Sequence, residues 1–392
     1  MTTPPPAPTF ARRRLTLGIS AVGLSVVLAA WWLLLLCTRV VALPASWDRI
    51  FTPITTPGLA AGLVLVVFAA HAALLSAFEY AGGVRVARDR PTVTAWLTAW
   101  LRGVAVQGAL MAAAAGTMAA GAMIAGWAGA VAAVVAVGTG LLLFQGSVAR
   151  VVASLPLAPG DAELAALARA HGIRVDALRV VDAPAPAFVG GWIGLFAPEL
   201  WVPRAWLAGE HRTLLNVQLA RRAAVIASGA RRRALWRAVA WPALGVALFA
   251  PLLPWSWQSP SLWLALPAVS TLWTFVGVLL LPAFSRPPVF DADASAAAVL
   301  GVEAVIEAIR ALDRRQDDEP ERSPLVELIF HPVPARGARE RALRSRRTLV
   351  LGGGHQQARL TLYASMAGLG FLGRMVHCNI GQPSLWIVYP GD

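Results

Sequence analysis

Residues 214–222 read LLNVQLARR. Leu214, Leu215, Val217, Leu219 and Ala220 alternate with Asn216, Gln218, Arg221 and Arg222 in a pattern that suits a helix over about 210–228. Val217 and Arg221 stand four residues apart and so project from one helix face, with Gln218 beside Val217. None of the three suits metal or acid–base chemistry. Valine has no lone pair, arginine is a fixed cation without an acceptor, and glutamine is not a base. What this helix is for depends on its surroundings in the chain.

Those surroundings are apolar. The 392 residues are 57% hydrophobic and only 14% charged, and the apolar residues come in long blocks. Candidate membrane spans are 15–37, 59–78, 95–118, 119–144, 239–257 and 262–284, each near the ~20 residues needed to cross the hydrocarbon core. Arg102 interrupts the third, and the third and fourth can also be read as one long hairpin. The first is too long for a signal-peptide core and reads as an uncleaved anchor. Trp31, Trp32, Trp255, Trp257 and Trp263 fall near span ends, where aromatic belts are expected.

The net charge of +13 comes entirely from arginine, with no lysine, which fits a high-GC bacterial genome. The arginines cluster beside apolar blocks, so membrane topology explains them and no nucleic-acid partner is expected. Arg12–Arg14 precede the first span, Arg85, Arg88 and Arg90 follow the second, Arg150 follows the fourth, Arg231–Arg233 and Arg237 precede the fifth, and Arg286 follows the sixth. Six spans with both termini inside satisfy this bias. The expected location is the bacterial inner membrane, multi-pass, with the N-terminus and polar domain cytoplasmic. Cys37 and Cys378 lie too far apart in the chain to suggest a disulfide framework or a cysteine zinc site.

The chain then divides into a basic N-terminus (1–14), a four-span region (15–150), a polar segment (151–236), a two-span hairpin (237–284), a second polar segment (285–347) and a tail (348–392). Both polar segments fall on one side and can form a single domain. Asp161 caps a helix to about Ala170, residues 173–182 alternate as one or two strands, and ELWVP at 199–203 reads as another. Beyond the hairpin, a helix is expected from about Val289 with Gly301 as a break, and a basic helix within 336–347.

Taken in order, these pieces resemble the membrane zinc metallopeptidases of the HtpX and CAAX-prenyl endopeptidase type, from about Ala162 to Leu343. In APAPAFVGG, Ala187, Phe188 and Gly190 match the family's substrate-edge segment, while Pro186 stands where asparagine is usual. LLNVQLARR takes the place of the helix bearing H-E-x-x-H, where two histidines grip zinc and the glutamate activates water. In SRPPVFDAD, Ser285, Arg286, Ala292 and Asp293 match, but Val289 replaces the third ligand. His331-Pro332 resembles a late His-Pro element.

The resemblance implies a mainly α, polytopic membrane helix bundle with a cytoplasmic metallopeptidase-like α+β domain, split by the fifth and sixth spans. It also implies a degenerate member. Val217 and Arg221 hold the histidine positions, Gln218 the base and Val289 the glutamate ligand, so neither catalytic residues, metal nor cofactor is expected. The Arg221 guanidinium is expected to fill the metal position and pair with Asp293 or Asp291. The function this implies is non-catalytic: a pseudo-metallopeptidase in the lipid bilayer that binds or regulates a membrane protein or peptidase partner. Alternatives are an active zinc-dependent endopeptidase with an unusual site, and an unrelated transport or channel protein, for which the spans offer few polar groups apart from His71, Arg102 and Gln107.

Other residues have plainer readings. His71 suits a neutral histidine bonded to a neighbouring helix, Arg102 suits reach toward an interface, and His331 suits a turn before proline. GGGH at 352–355 lacks the lysine and flanking pattern of a phosphate loop. The arginines of 336–347 suit lipid headgroups or a solvated face, and 360–375 a packed or interfacial helix.

Overall fold

The computed structural model describes residues 9–38, 53–183, 188–345 and 352–387. Among the described residues, five helices are long and apolar enough to cross a membrane. They begin with α1 (Phe10–Cys37), whose N-cap Thr9 accepts from the Arg12 amide, and α2 (Pro57–Tyr80), prolonged by a π-turn to Arg85. Next, α3 (Val93–Leu143) runs for 51 residues but is broken at Ala125 and Gly126, where the backbone leaves the helical region. A Cβ on Gly129 would sit 1.9 Å from the Gly121 carbonyl oxygen. In a straight helix, residues eight apart are separated by about 12 Å. The chain therefore doubles back as a tight hairpin. The expected division at 118/119 moves to 125/126, because Gly126 supplies the positive φ the turn requires.

A short helix, α4 (Gln145–Ala153), leads into the polar domain. There β1 (Leu157–Pro159), α5 (Ala162–Ala170), β2 (Leu178–Val181), β3 (Gly191–Ile193) and β4 (Glu199–Pro203) form a four-stranded sheet, ordered β1-β2-β4-β3, with one helix on it. β2 and β4 are parallel and the other pairs antiparallel, which leaves β3 at an edge. The Asp161 carboxylate caps α5 through the Leu164 amide at 2.8 Å. β1 has no signal in the sequence; its proline-flanked three residues are too short for an alternation to show.

The helix of LLNVQLARR is α6 (Arg212–Ala227), followed by α7 (Ala230–Phe249) and α8 (Pro260–Ser285). α7 starts well before the expected 239. Its first turns hold the arginine cluster: Arg231 donates to the Gly194 carbonyl at 2.7 Å, Arg233 to the Gly353 carbonyl, and Arg237 to Gln357. These arginines are therefore bonded to protein acceptors as part of the helix, rather than preceding it as a polar flank. In the α7–α8 hairpin the Trp273 ring covers Gly245 and the Trp241 ring covers Gly277; the two indoles stack at 4.4 Å. α8 runs almost without interruption into α9 (Pro287–Leu300), and Gly301 at φ +86° turns the chain into α10 (Val302–Gln316). Then come α11 (Pro324–Phe330), α12 (Arg336–Ser345) and α13 (Gln357–Ala364).

Leu164, Val180, Val202, Trp206, Leu219, Ile306 and Leu312 build the polar domain's core, with α6 packed against α9 and α10. The halves on either side of the α7–α8 hairpin thus share one core. After α13 the tail winds through short 3-10 turns and is buried inside the membrane bundle. The glycines before it have a packing role. A Cβ on Gly353 would meet the Phe284 carbonyl oxygen at 2.3 Å, and one on Gly354 would meet Ala234 Cα at 2.9 Å. Further along, the Phe371 ring lies 4.9 Å from His71, and Arg374 meets Glu79 at 3.6 Å. Among the described residues, neither His71 nitrogen has a hydrogen-bond partner, so ring packing replaces the expected bond to a neighbouring helix.

Candidate functional site

α6 presents Val217, Gln218 and Arg221 inward, and α9 presents Val289 and Asp293 toward it; all five are buried. Arg221 is fully buried, and its Nε donates to Asp293 Oδ1 at 2.7 Å. Arg221 Nη1 donates to Gln218 Oε1 at 3.1 Å, which holds the guanidinium in the turn that carries the valine. A second cation completes the arrangement. Arg339 of α12 donates Nε to Asp293 Oδ2 at 2.7 Å and Nη2 to Oδ1 at 2.8 Å, a bidentate grip on the carboxylate. Two guanidiniums thus share one buried acid, and three elements meet there.

The other candidate residues do not gather at this centre. Asp291 is exposed on the outer face of α9, two residues from Asp293 and so turned away from Arg221 by helix geometry. Phe188 is buried in the core, and Gly190 adopts φ +65° against β4, where a Cβ would meet the Trp201 carbonyl oxygen at 2.1 Å. These residues anchor the approach to β3, and the sheet edge itself is Gly191–Ile193. Ala187 lies outside the described residues. The α12 arginines divide: Arg339 joins Asp293 and Arg336 meets Asp313 at 3.3 Å, whereas Arg341, which meets Glu321 at 2.7 Å, and Arg344 lie on an exposed face.

Two contributors had no distinguishing signal in the sequence. Arg339 reaches Asp293 across 46 residues, through packing of α12 on α9 that no local pattern announces. Arg222 is the last letter of LLNVQLARR. It donates to the Val189 carbonyl and, at 3.4 Å, to that of Trp201, with its guanidinium over the Trp206 ring. The Trp192 indole returns a bond to the Arg222 carbonyl at 3.0 Å. Consecutive arginines thus tie α6 to α9 on one side and to the sheet on the other. Beside β3 a cleft of about 730 Å³ opens between Trp192, the small residues Ala220, Ala223 and Ala227 of α6, and Ser295 and Val299 of α9.

A zinc ion does not fit this centre. Val217 and Val289 offer no donor atom, and a guanidinium already saturates one carboxylate oxygen. Among the described residues, no three histidine, cysteine, aspartate or glutamate side chains come together in a metal-holding group.

No protein-family model matches the chain, and no curated protein does. Among solved structures, the crystal structure of S. mikatae Ste24p is similar over 80% of this chain and 80% of that one, with a TM-score of 0.59 and 11% sequence identity. The chain folds like Ste24p. The likeness to Ste24p establishes a polytopic, mainly helical membrane fold with a small sheet.

Proposed function

We propose that this protein is a pseudo-metallopeptidase, an integral membrane protein that keeps the body of a zinc peptidase and binds or regulates a membrane protein partner. Ste24p is an integral membrane zinc metallopeptidase. The observation that carries the reading is the Arg221–Asp293–Arg339 cluster, which joins α6, α9 and α12 at the positions where the resemblance implies a metal site. The cleft beside the β3 edge is the surface we assign to the partner's peptide segment, since an edge strand offers unpaired backbone groups for strand addition. The arginine bias argues for a cytoplasmic polar domain and N-terminus in a bacterial inner membrane. A transport role has less support. The Glu79–Arg374 pair within the bundle is capped by the Phe68 and Trp386 rings, and the cavity beside it is about 10 Å³, no larger than a single water.

The test is metal analysis of the purified chain with a proteolysis assay, beside the variant Val217→His, Gln218→Glu, Arg221→His, Val289→Glu. The expected result is no bound zinc and no cleavage in the wild type, and zinc gained by the fourfold variant. Stoichiometric zinc in the wild type would overturn the reading. For the partner, a photo-crosslinking residue at Ala223 is expected to capture a membrane protein in cells, and one at the exposed Phe196 is not.

A further inference from the structure

A polar cavity of about 60 Å³ lies where α1, α10, α12 and the tail converge, lined by Arg14, Arg322, Arg336, Arg339 and Arg359 with Asp313 and Asp317. Most of this charge is accounted for. Arg322 pairs with Asp317 at 2.6 Å and with Glu319, Arg336 pairs with Asp313, and Arg339 belongs to the Asp293 cluster. Arg14 and Arg359 are different. Arg14 is 5% exposed and donates Nη2 to the Cys378 carbonyl, but its Nε has no hydrogen-bond partner. Arg359 is 8% exposed, and neither its Nε nor its Nη1 has one. Among the described residues, no carboxylate lies within ion-pair distance of either guanidinium. Asp317, in the same cavity, attracts Arg14 from beyond ion-pair distance but is already paired with Arg322. Buried cations so weakly compensated are costly, which points to an anion supplied from outside the chain.

A second cavity says what kind of anion. An almost wholly apolar slot of about 190 Å³ runs between α1 and α8, and it shares Pro332, Arg359, His377 and Cys378 with the polar cavity. Ile19 and Leu279, both on its wall, are also exposed on the membrane-facing surface at 42% and 37%. The slot therefore opens toward the bilayer at one end and meets unneutralised guanidiniums at the other. We propose that the two cavities form one site for an anionic glycerophospholipid, with its phosphate between Arg14 and Arg359 and part of one acyl chain in the slot along α1 and α8. A phosphate presents several acceptor oxygens, enough for the open donors of both arginines. Such a lipid would join α1 to the tail and to the polar domain. The site is separate from the cleft beside β3 and does not depend on the pseudo-peptidase reading.

The test uses the full chain, purified in detergent and stripped of lipid, with thermal unfolding followed during titration of phosphatidylglycerol, phosphatidylcholine or inorganic phosphate. Phosphatidylglycerol is expected to raise the midpoint saturably, phosphatidylcholine at least tenfold less potently, and inorganic phosphate not at all over the same range. Arg14→Gln and Arg359→Gln are each expected to weaken the phosphatidylglycerol response at least tenfold. Because losing an arginine can also disturb folding, Gly23→Leu serves as an independent probe. A Cβ at Gly23 meets nothing within 4 Å, so leucine can enter the slot without a clash and block the chain while leaving both arginines in place. It too is expected to lose the response. Equal effects of the two lipids, a full response to inorganic phosphate, or an unchanged response in Gly23→Leu would each overturn the proposal.

Discussion

At the residue scale the chemistry of the centre is that of a buried ion cluster in which Arg221 and Arg339 both bond Asp293. Removing one member of such a cluster leaves charge buried and unpaired, whereas replacing all of it by apolar groups can be neutral or stabilising. Asp293→Asn is therefore expected to destabilise the protein by roughly 3–5 kcal/mol, read as a lower midpoint of thermal unfolding in detergent. The joint replacement Arg221→Met, Asp293→Leu, Arg339→Met should recover most of that loss. If Asp293→Asn unfolded like the wild type, the cluster would not hold the split domain together. Part of this centre is legible in the letters alone. Arg221 shares a helix face with Val217, and Asp293 is one of two acids in the segment that must return to it, so the partner is narrowed to a pair. Choosing between Asp293 and Asp291 needs the register of α9, and finding Arg339 needs tertiary packing of α12.

At the element scale, hydrophobic block length locates the long helices, but it cannot place a turn inside a continuous apolar run. That is why the division of α3 shifts from 118/119 to 125/126. Composition there is mostly Ala, Gly and Met, and only backbone approach distinguishes one glycine from another. Gly129 touches the opposite limb, whereas a Cβ on Gly116 would find its nearest atom, the Pro57 carbonyl oxygen, at 3.6 Å. Gly129→Val should destabilise by about 1–3 kcal/mol, the range for overpacking. Gly116→Ala should be neutral or stabilise by up to about 1 kcal/mol, because alanine loses less backbone entropy in a helix interior. Unfolding midpoints of the two variants in one detergent check the contrast, and a similar loss in both would argue against a glycine-dependent crossing. The same limit applies to the arginines of α7. Their number is plain from sequence, but that they cap carbonyls of the sheet and tail is a consequence of packing.

At the scale of the whole molecule, the tail is the element that sequence describes least well. Its 3-10 turns have no period to detect, yet it fills the bundle and connects α1, α8 and the polar domain. His377 sits at that junction, its backbone against Gly18 of α1 and its ring 4.8 Å from that of His331. Burial drives the His377 imidazole down to about 3, from an ordinary value of 6.5, with Asp317 opposing that shift and Arg14, Arg322 and Arg359 adding to it. His331 is likewise held well below 6.5, by burial first and then by His377 and the same two arginines, Arg322 and Arg359. Both rings are thus neutral when folded at pH 7. Between about pH 3 and 6.5 the unfolded chain binds protons at these sites that the folded chain refuses, so stability rises with pH across that window. The contribution is complete above about 6.5 and is lost as the pH falls toward the folded values. Unfolding midpoints measured from pH 7.5 down to 4 should therefore fall, and the variant His331→Asn, His377→Asn should fall less steeply over the same range. Parallel slopes would mean that the acid sensitivity lies in the carboxylates of the ion pairs. A shallower slope in the variant would place the acid-labile joint of this fold where the tail, α1 and the polar domain meet.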